Sequence, residues 1–322
     1  MDLNLVINAI KAEMKPSMGC TEPVALALAV SRTCEHLDAP TQKLEMLISS
    51  NIFKNAYSVQ IPNAGTYGIE LACVLGMLLS KPGNTMEICA GIKPEHVEKA
   101  KKLVAEGFAH VKVLKSSQFY IECTATDGKD TVHTITEDEH DNLVFCEKNG
   151  EVLLDKRVKK EAVESEEKEG TFDVTKHTFS EFYNWANEVD VADLQFIKEA
   201  IDINMEIAKK GMEKKYAFGV GPTVQNLLEK GMLKADVVTA VRSIPAAAAD
   251  FRMSGGNGSV MTFCGSGNQG ITVSVPVIEY AKALACPKER LYRALVLSNL
   301  IAIHEKTGIG RLSAYCGAVC AA

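Results

Sequence analysis

The sequence has no apolar run approaching the ~20 residues that a membrane-spanning helix needs. Its first residues, MDLNLVINAIKAEMKP, set acids and lysines among the apolar positions and hold no compact apolar signal core. The expectation is therefore a mature cytoplasmic start. Long basic clusters are missing too. With a formal net charge of −6 and a pI of ≈ 5.7, the chain lacks the electrostatic footprint of a nucleic-acid or anionic-membrane binder. No two cysteines stand in CxxC spacing, which removes zinc ribbons and thioredoxin-like sites. HExxH is absent, since His304-Glu305 is followed by Gly308 where the second histidine would stand. GxSxG, the GxxxxGK[ST] phosphate loop and a clear pyridoxal-phosphate attachment signature are absent as well. There is no internal repeat or low-complexity tract.

What is present is a chain of 322 residues, 47% of them hydrophobic, enough for one large or two ordinary domains. Ten cysteines are many for a reducing compartment, where a disulfide framework is not expected. Most read as small buried hydrophobes.

Apolar periodicity predicts a helix over 2–14, with Leu3, Ile7 and Ile10 on one face, and a second from Thr21 to about His36 with Pro23 in its first turn. Strands are expected at 43–50, 56–61 and 86–91, a buried helix at 69–80 and an amphipathic helix at 94–106. Short strands follow at 110–115, 118–126, 130–136 and 142–146, separated by Asp-Gly and Asn-Gly turn signals. The charged stretch KRVKKEAVESEEKEG reads as a solvated linker or exposed strand edge. From Ser180 the pattern is helical, over 180–213, 222–230, 234–249, 271–284, 287–304 and 308–322, with a glycine-rich break at 254–270. The fold class is α+β: a mainly helical catalytic domain, 1–39 plus 170–322, with an inserted α+β domain at 40–169. Helices rich in small residues give a homodimer as the default expectation.

Four stretches could carry chemistry. Cys20, in GCTEP, stands just before a helix start, whose field favours thiolate; the alternative is a buried cysteine at a helix contact. SSNIFKN gathers Asn51, Lys54 and Asn55 where a strand is expected to end. Its amides suit a carboxylate, and a desolvated lysine there suits a general base; the alternative is a polar turn. RMSGGNG and CGSGNQGI, from Arg252 to Ile271, set glycines and amides before an apolar helix, an arrangement for a carboxylate or phosphate rather than a plain loop. HEKTGIGRLSAYCGAVC places Cys316 and Cys320 one helical turn apart among small residues, which also suits tight helix packing.

GCTEP, SNIFKN, GSGNQGI and GRLSAYCGA, in this order, resemble the serine-dehydratase alpha-chain-like family, and within it the branch of L-cysteine desulfidases. The resemblance runs the length of the chain. It implies a [4Fe–4S] cluster held by three cysteines, with one iron open to substrate. Two ligands map to Cys20 and Cys316, and the third is implied beyond Ala322, so a chain lacking the family's C-terminal segment is expected. Cys320 has no counterpart in the motif, and Cys264 is taken as a pocket residue.

The implied reaction is β-elimination of L-cysteine to sulfide, ammonia and pyruvate, a lyase activity on a small amino acid with no nucleic-acid or membrane partner. Lys54 is assigned as base with Asn55 beside it. Asn51, Ser266, Gly267, Asn268 and Gln269, with Asn55, are assigned to the substrate's carboxylate and amine. L-serine dehydration on the same cluster is the runner-up. A non-catalytic amino-acid- or anion-binding protein is the reading from another class, and a purely structural subunit leaves the clustered polar motifs unexplained.

Overall fold

A helix with no polar face has to be wrapped on every side. Thr21–Cys34 (α2) is such a helix, since every residue but Arg32 is buried. A computed structural model describes residues 1–157, 172–213, 216, 218–310, 313 and 315–320, with Cys320 described by its backbone alone. The fold is α+β, mainly helical, with a multi-stranded sheet inserted in it. Among the described residues no helix is long and apolar enough to cross a membrane.

The first half of the chain wraps α2. Its elements are α1 (Leu3–Glu13), β1 (Met14–Met18), α2, β2 (Lys43–Ser49), α3 (Ser50–Ala56), α4 (Ile69–Leu78) and α5 (Pro94–Ala105). Strands β3 (Ala109–Leu114), β4 (Tyr120–Thr126), β5 (Thr131–Glu137), β6 (Leu143–Lys148) and β7 (Glu151–Asp155) follow. Strands β2 to β7 form one sheet in the order β3-β2-β4-β5-β6-β7. Among the described strands only β2 and β3 run parallel, with α3 to α5 making the crossover that a parallel pair requires. Alternation points Leu44, Met46 and Ile48 of β2 and Ile121, Cys123 and Ala125 of β4 into one core with α2 and α4. Gly76 permits the close approach of α4 to α2, for a Cβ there would lie 2.1 Å from the Ala27 carbonyl oxygen.

The second half supplies α6 (Phe179–Glu188), α7 (Ile197–Glu213), α8 (Val220–Glu229), α9 (Val237–Met253), β8 (Ser259–Phe263), α10 (Gly267–Ala283), α11 (Lys288–Ile309) and α12 (Gly317–Cys320). Ile10 of α1 packs with Phe182 of α6 and Tyr292 of α11 in a second core. Phe251 of α9 centres a third with Ile207 of α7 and Ile271 of α10. Strand β8 pairs antiparallel with β1, from Met14↔Phe263 to Met18↔Ser259, and this ribbon ties the two halves together.

Buried Asn204 of α7 fastens the ribbon to the helices. Its Nδ2 donates to the carbonyls of Met261 (3.4 Å) and Gly270 (3.2 Å) and to Ser274 Oγ (3.0 Å), and its Oδ1 accepts from Met261 N at 2.9 Å. An Asn204→Leu change keeps the volume but removes the amide's bonds to both backbone groups of Met261, while Gly270 keeps its bond from Ser274 Oγ. It is expected to cost about 2–4 kcal/mol, read as a lower denaturation midpoint at unchanged m-value.

Several expected elements take another form. The segment 56–61 is no strand: Ser50–Ala56 is helical, burying Ile52 and Ala56 at helical spacing, and the chain then turns through Asn63 at φ 59°. A 3-10 turn at Ile88–Gly91 replaces the strand over 86–91, with Ile88 and Cys89 buried together. The helix expected over 180–213 breaks after Glu188, where Asp190 caps a new turn by accepting from Ala192 N. The break at 254–270 contains β8, and α10 starts four residues early because Ser266 caps it. Over 308–322, α11 ends at Ile309, capped by Gly310 at φ 85°, and among the described residues beyond it Gly317–Cys320 is helical, so Cys316 lies outside that helix. The charged stretch falls almost wholly on residues 158–171, outside the described residues.

Candidate active site

Both strands of the ribbon run into helices that border one cleft, β1 into α2 and β8 into α10. The cleft encloses about 670 Å³. All four singled-out stretches reach it: Cys20 and Glu22 from the first, Lys54 and Asn55 from the second, Ser266 and Asn268 from the third, Ser313 and Cys316 from the last.

Glu22 lies buried in the first turn of α2. Its Oε2 accepts from Cys20 Sγ (3.2 Å) and Thr21 Oγ1 (3.0 Å), and its Oε1 from Asn55 Nδ2 (3.1 Å). Burial pushes its carboxyl up, yet the charge of His140 and the hydrogen bonds from Cys20, Thr21 and the helix's own backbone more than offset this. The net result is a carboxyl held below its ordinary value. The Cys20 thiol goes the other way. Burial raises it, the neighbouring Glu22 charge raises it further, and Arg252 only partly opposes them. Of the two readings the sequence leaves open for Cys20, the buried cysteine is the one seen, with its Sγ donating to Glu22.

His140 comes from the turn between β5 and β6. Lys15 of β1 clamps that turn, its Nζ lying 2.9 Å from Glu139 Oε2 and 3.1 Å from Asp141 Oδ1. Partial burial pulls the Lys15 ammonium down, but the two carboxylates outweigh it and hold the group above its ordinary value. Arg32 Nη1 adds a bond to the Asp141 carbonyl at 2.6 Å. The imidazole meets Phe119 edge-on at 4.7 Å. Gly265, at φ +76°, leaves room for it, since a Cβ would lie 3.1 Å from His140 Cε1.

Arg252, in the last turn of α9, is 4% exposed. Its Nη1 donates to Asn268 Oδ1 at 2.8 Å and to Met253 Sδ at 3.3 Å, while its buried Nε has no hydrogen-bond partner among the described residues. Asp250, two residues earlier, is committed to the backbone N–H groups of Phe218 (3.0 Å) and Val220 (3.2 Å). Lys306 of α11 is buried at the cleft and makes no salt bridge among the described residues.

The assigned residues do not all gather. Ser266 lines the cleft and caps α10, its Oγ accepting from Gln269 N at 3.3 Å. Asn268 lines it and donates to Cys316 Sγ at 3.4 Å. Gly267 serves packing, for a Cβ there would sit 2.3 Å from Arg252 Nε. Gln269 is fully buried behind the wall, with both amide atoms lacking partners among the described residues. Asn51 does not line the cleft, and its Nδ2 donates to the Ser117 carbonyl at 2.9 Å. Lys54 lines the cleft but is exposed, so the desolvation argument for a basic lysine does not hold. The sequence reading missed His140 and the importance of Arg252, Asp250 and Lys306. Arg252, within the quoted glycine-rich stretch, and Lys306, within the last of the four stretches, stood inside a signal; His140 and Asp250 did not.

The [4Fe–4S] expectation is also corrected. Among the described residues, no group of three or more His, Cys, Asp or Glu side chains is arranged to hold a metal ion. Cys20 and Cys316 border the same cleft, but one thiol is engaged with Glu22 and the other is exposed beside Asn268. This donor set does not fit a cluster.

Gly265, Gly267 and Gly270 do fall at dinucleotide-fold spacing between a strand and a helix. Among the described residues, however, strand β8 pairs only with antiparallel β1, and no parallel βαβ unit surrounds them.

The model of the serine dehydratase alpha chain family matches residues 83–322. A UPF0597 protein of Oleidesulfovibrio alaskensis is 36% identical over 98% of this chain and 73% of its own length. A UPF0597 protein of Porphyromonas gingivalis is 36% identical over 98% of this chain and 74% of its own, and one of Clostridium perfringens is 35% identical over 98% and 72%. No solved structure matches the chain. A match over three quarters of the chain, with relatives above 30% identity along nearly all of it, fixes the affiliation: the chain belongs to the serine dehydratase alpha chain family.

Proposed function

We propose that the chain is a lyase that eliminates the β-substituent of a small α-amino acid, with L-cysteine as substrate. One observation carries this reading. A buried carboxylate, Glu22, held below its ordinary value, shares a cleft with the start of a long helix, α10. The first offers a partner to an α-ammonium, and the second presents N–H groups and positive potential to an α-carboxylate. The choice of thiol as leaving group follows the sequence resemblance, and the family affiliation supports a lyase.

In the proposed reaction, Glu22 and Asn55 fix the ammonium end, and Ser266 and Asn268 fix the carboxylate end. His140, buried beside Glu22, replaces exposed Lys54 as the group that takes the Cα proton. As that C–H bond breaks, its electron pair forms the Cα–Cβ double bond, and the Cβ–S pair leaves with sulfur. The aminoacrylate tautomerises to an imine, which one water converts to pyruvate and ammonium. L-cysteine and water thus give pyruvate, ammonium and hydrogen sulfide.

The test compares L-cysteine, L-serine and D-cysteine on one preparation. Sulfide and pyruvate from L-cysteine at the highest kcat/KM support the proposal. Pyruvate from L-serine alone moves the assignment to the dehydratase, and no product from any of them moves it to an amino-acid-binding protein.

The Lys15 clamp yields a second expectation. Lys15→Met releases the turn that carries His140, so kcat should fall about 10- to 100-fold through misplacement. Its side chain is 44% exposed, and partly exposed ion pairs contribute little, so stability should change by less than about 1 kcal/mol. Turnover beside urea denaturation checks both.

A further inference from the structure

We infer that Arg252 is the receptor for the substrate's α-carboxylate, and that it makes the cleft selective for α-amino acids over the corresponding amines. The inference deepens the lyase reading above and rests on it.

A buried guanidinium without a counter-charge is costly unless something negative is bound against it. Arg252 is 4% exposed and makes no salt bridge among the described residues. Among the described residues its five N–H groups are far from satisfied: Nη1 reaches Asn268 Oδ1 and Met253 Sδ, while buried Nε has no partner there. Asp250, the carboxylate nearest in sequence, is taken by the N–H groups of Phe218 and Val220. The cleft is where a counter-ion has access, since Arg252 lines it.

The surroundings hold the guanidinium for this task. Asn268 Oδ1 fixes one arm of the fork. Gly267 lets the backbone at the start of α10 come within van der Waals range of the guanidinium, where any Cβ would lie 2.3 Å from Nε. That helix is 17 residues long, and its N-terminus adds positive potential to the same spot. A planar fork beside a helix start matches the two oxygens of a carboxylate. An amine lacking that carboxylate would leave the charge unpaired.

The experiment is calorimetric binding of L-alanine, which has the α-amino acid head and no leaving group, beside ethylamine and inorganic phosphate. Wild-type protein should bind L-alanine and bind the other two far more weakly. Arg252→Lys should weaken L-alanine binding about 100-fold or more, because a point charge does not replace a fork in a desolvated site. Gly267→Ala, which keeps the charge but displaces the guanidinium, should weaken it as well, and circular dichroism checks that both variants are folded. Unchanged L-alanine affinity in the two folded variants overturns the inference, as does ethylamine or phosphate binding as tightly as L-alanine. Arg252-dependent L-alanine binding without turnover of L-cysteine would sink the lyase reading and leave the carboxylate receptor standing.

Discussion

Glu22→Gln is expected to lower turnover of L-cysteine by about 1,000-fold or more. The change is nearly isosteric but removes the charge on which two proposed roles depend. It takes away the counter-charge for the substrate ammonium, and it takes away the anion whose field acts with His140. A positioned acid–base pair and a preorganised charge each contribute about 10²- to 10³-fold, and here both act through one carboxylate. Steady-state kcat and KM measure the effect, with both parameters moving. A loss under tenfold would mean that Glu22 only props up α2.

The same residue sets an acid sensitivity. A carboxyl whose folded value lies below its unfolded value stabilises the fold above the unfolded range near pH ~4.3 and loses that contribution as pH falls through the folded value. Glu22 is such a group. Wild-type protein should therefore lose more stability between about pH 7 and about pH 3.5 than Glu22→Gln does. Urea midpoints at the two pH values give the comparison, and equal losses would contradict the assignment.

Gly270→Ala is expected to cost about 3 kcal/mol or more of folding stability, a large fraction of what a domain possesses. A Cβ at Gly270 would lie 2.0 Å from the Met261 carbonyl oxygen, which belongs to β8. Backbone cannot yield as a flexible side chain does, so α10 would have to move off the strand. The Gly270 carbonyl also accepts from Asn204, so the shift would break the network that holds the ribbon. Thermal melting reads the loss. A variant melting within a few degrees of wild type would show that α10 slides freely on β8.

The glycine motif was legible as a motif but not as three separate devices. Gly265 makes room for His140, Gly267 for Arg252 and Gly270 for a strand. Only contact across the fold assigns these roles, and spacing along the chain carries none of them. The long helices and the sheet were readable because their periods repeat: β4 alternates burial along its whole length, and α2 is apolar from Pro23 to Val30. Strands β1 and β8 were not, for each has five residues and its partner lies more than two hundred positions away. His140 was invisible for the same reason. It sits in a turn of ordinary polar composition, and what brings it to the cleft is Lys15, 124 residues from its partner Glu139. Lys54 was overvalued because sequence shows neighbours and not exposure.

The central claim, that the cleft carries out β-elimination on a small α-amino acid, is tested most directly by following sulfide and pyruvate together from L-cysteine. The account predicts that they appear in equal amounts, at a rate proportional to protein and abolished in Glu22→Gln. Sulfide without pyruvate, or equal rates in both proteins, would contradict it.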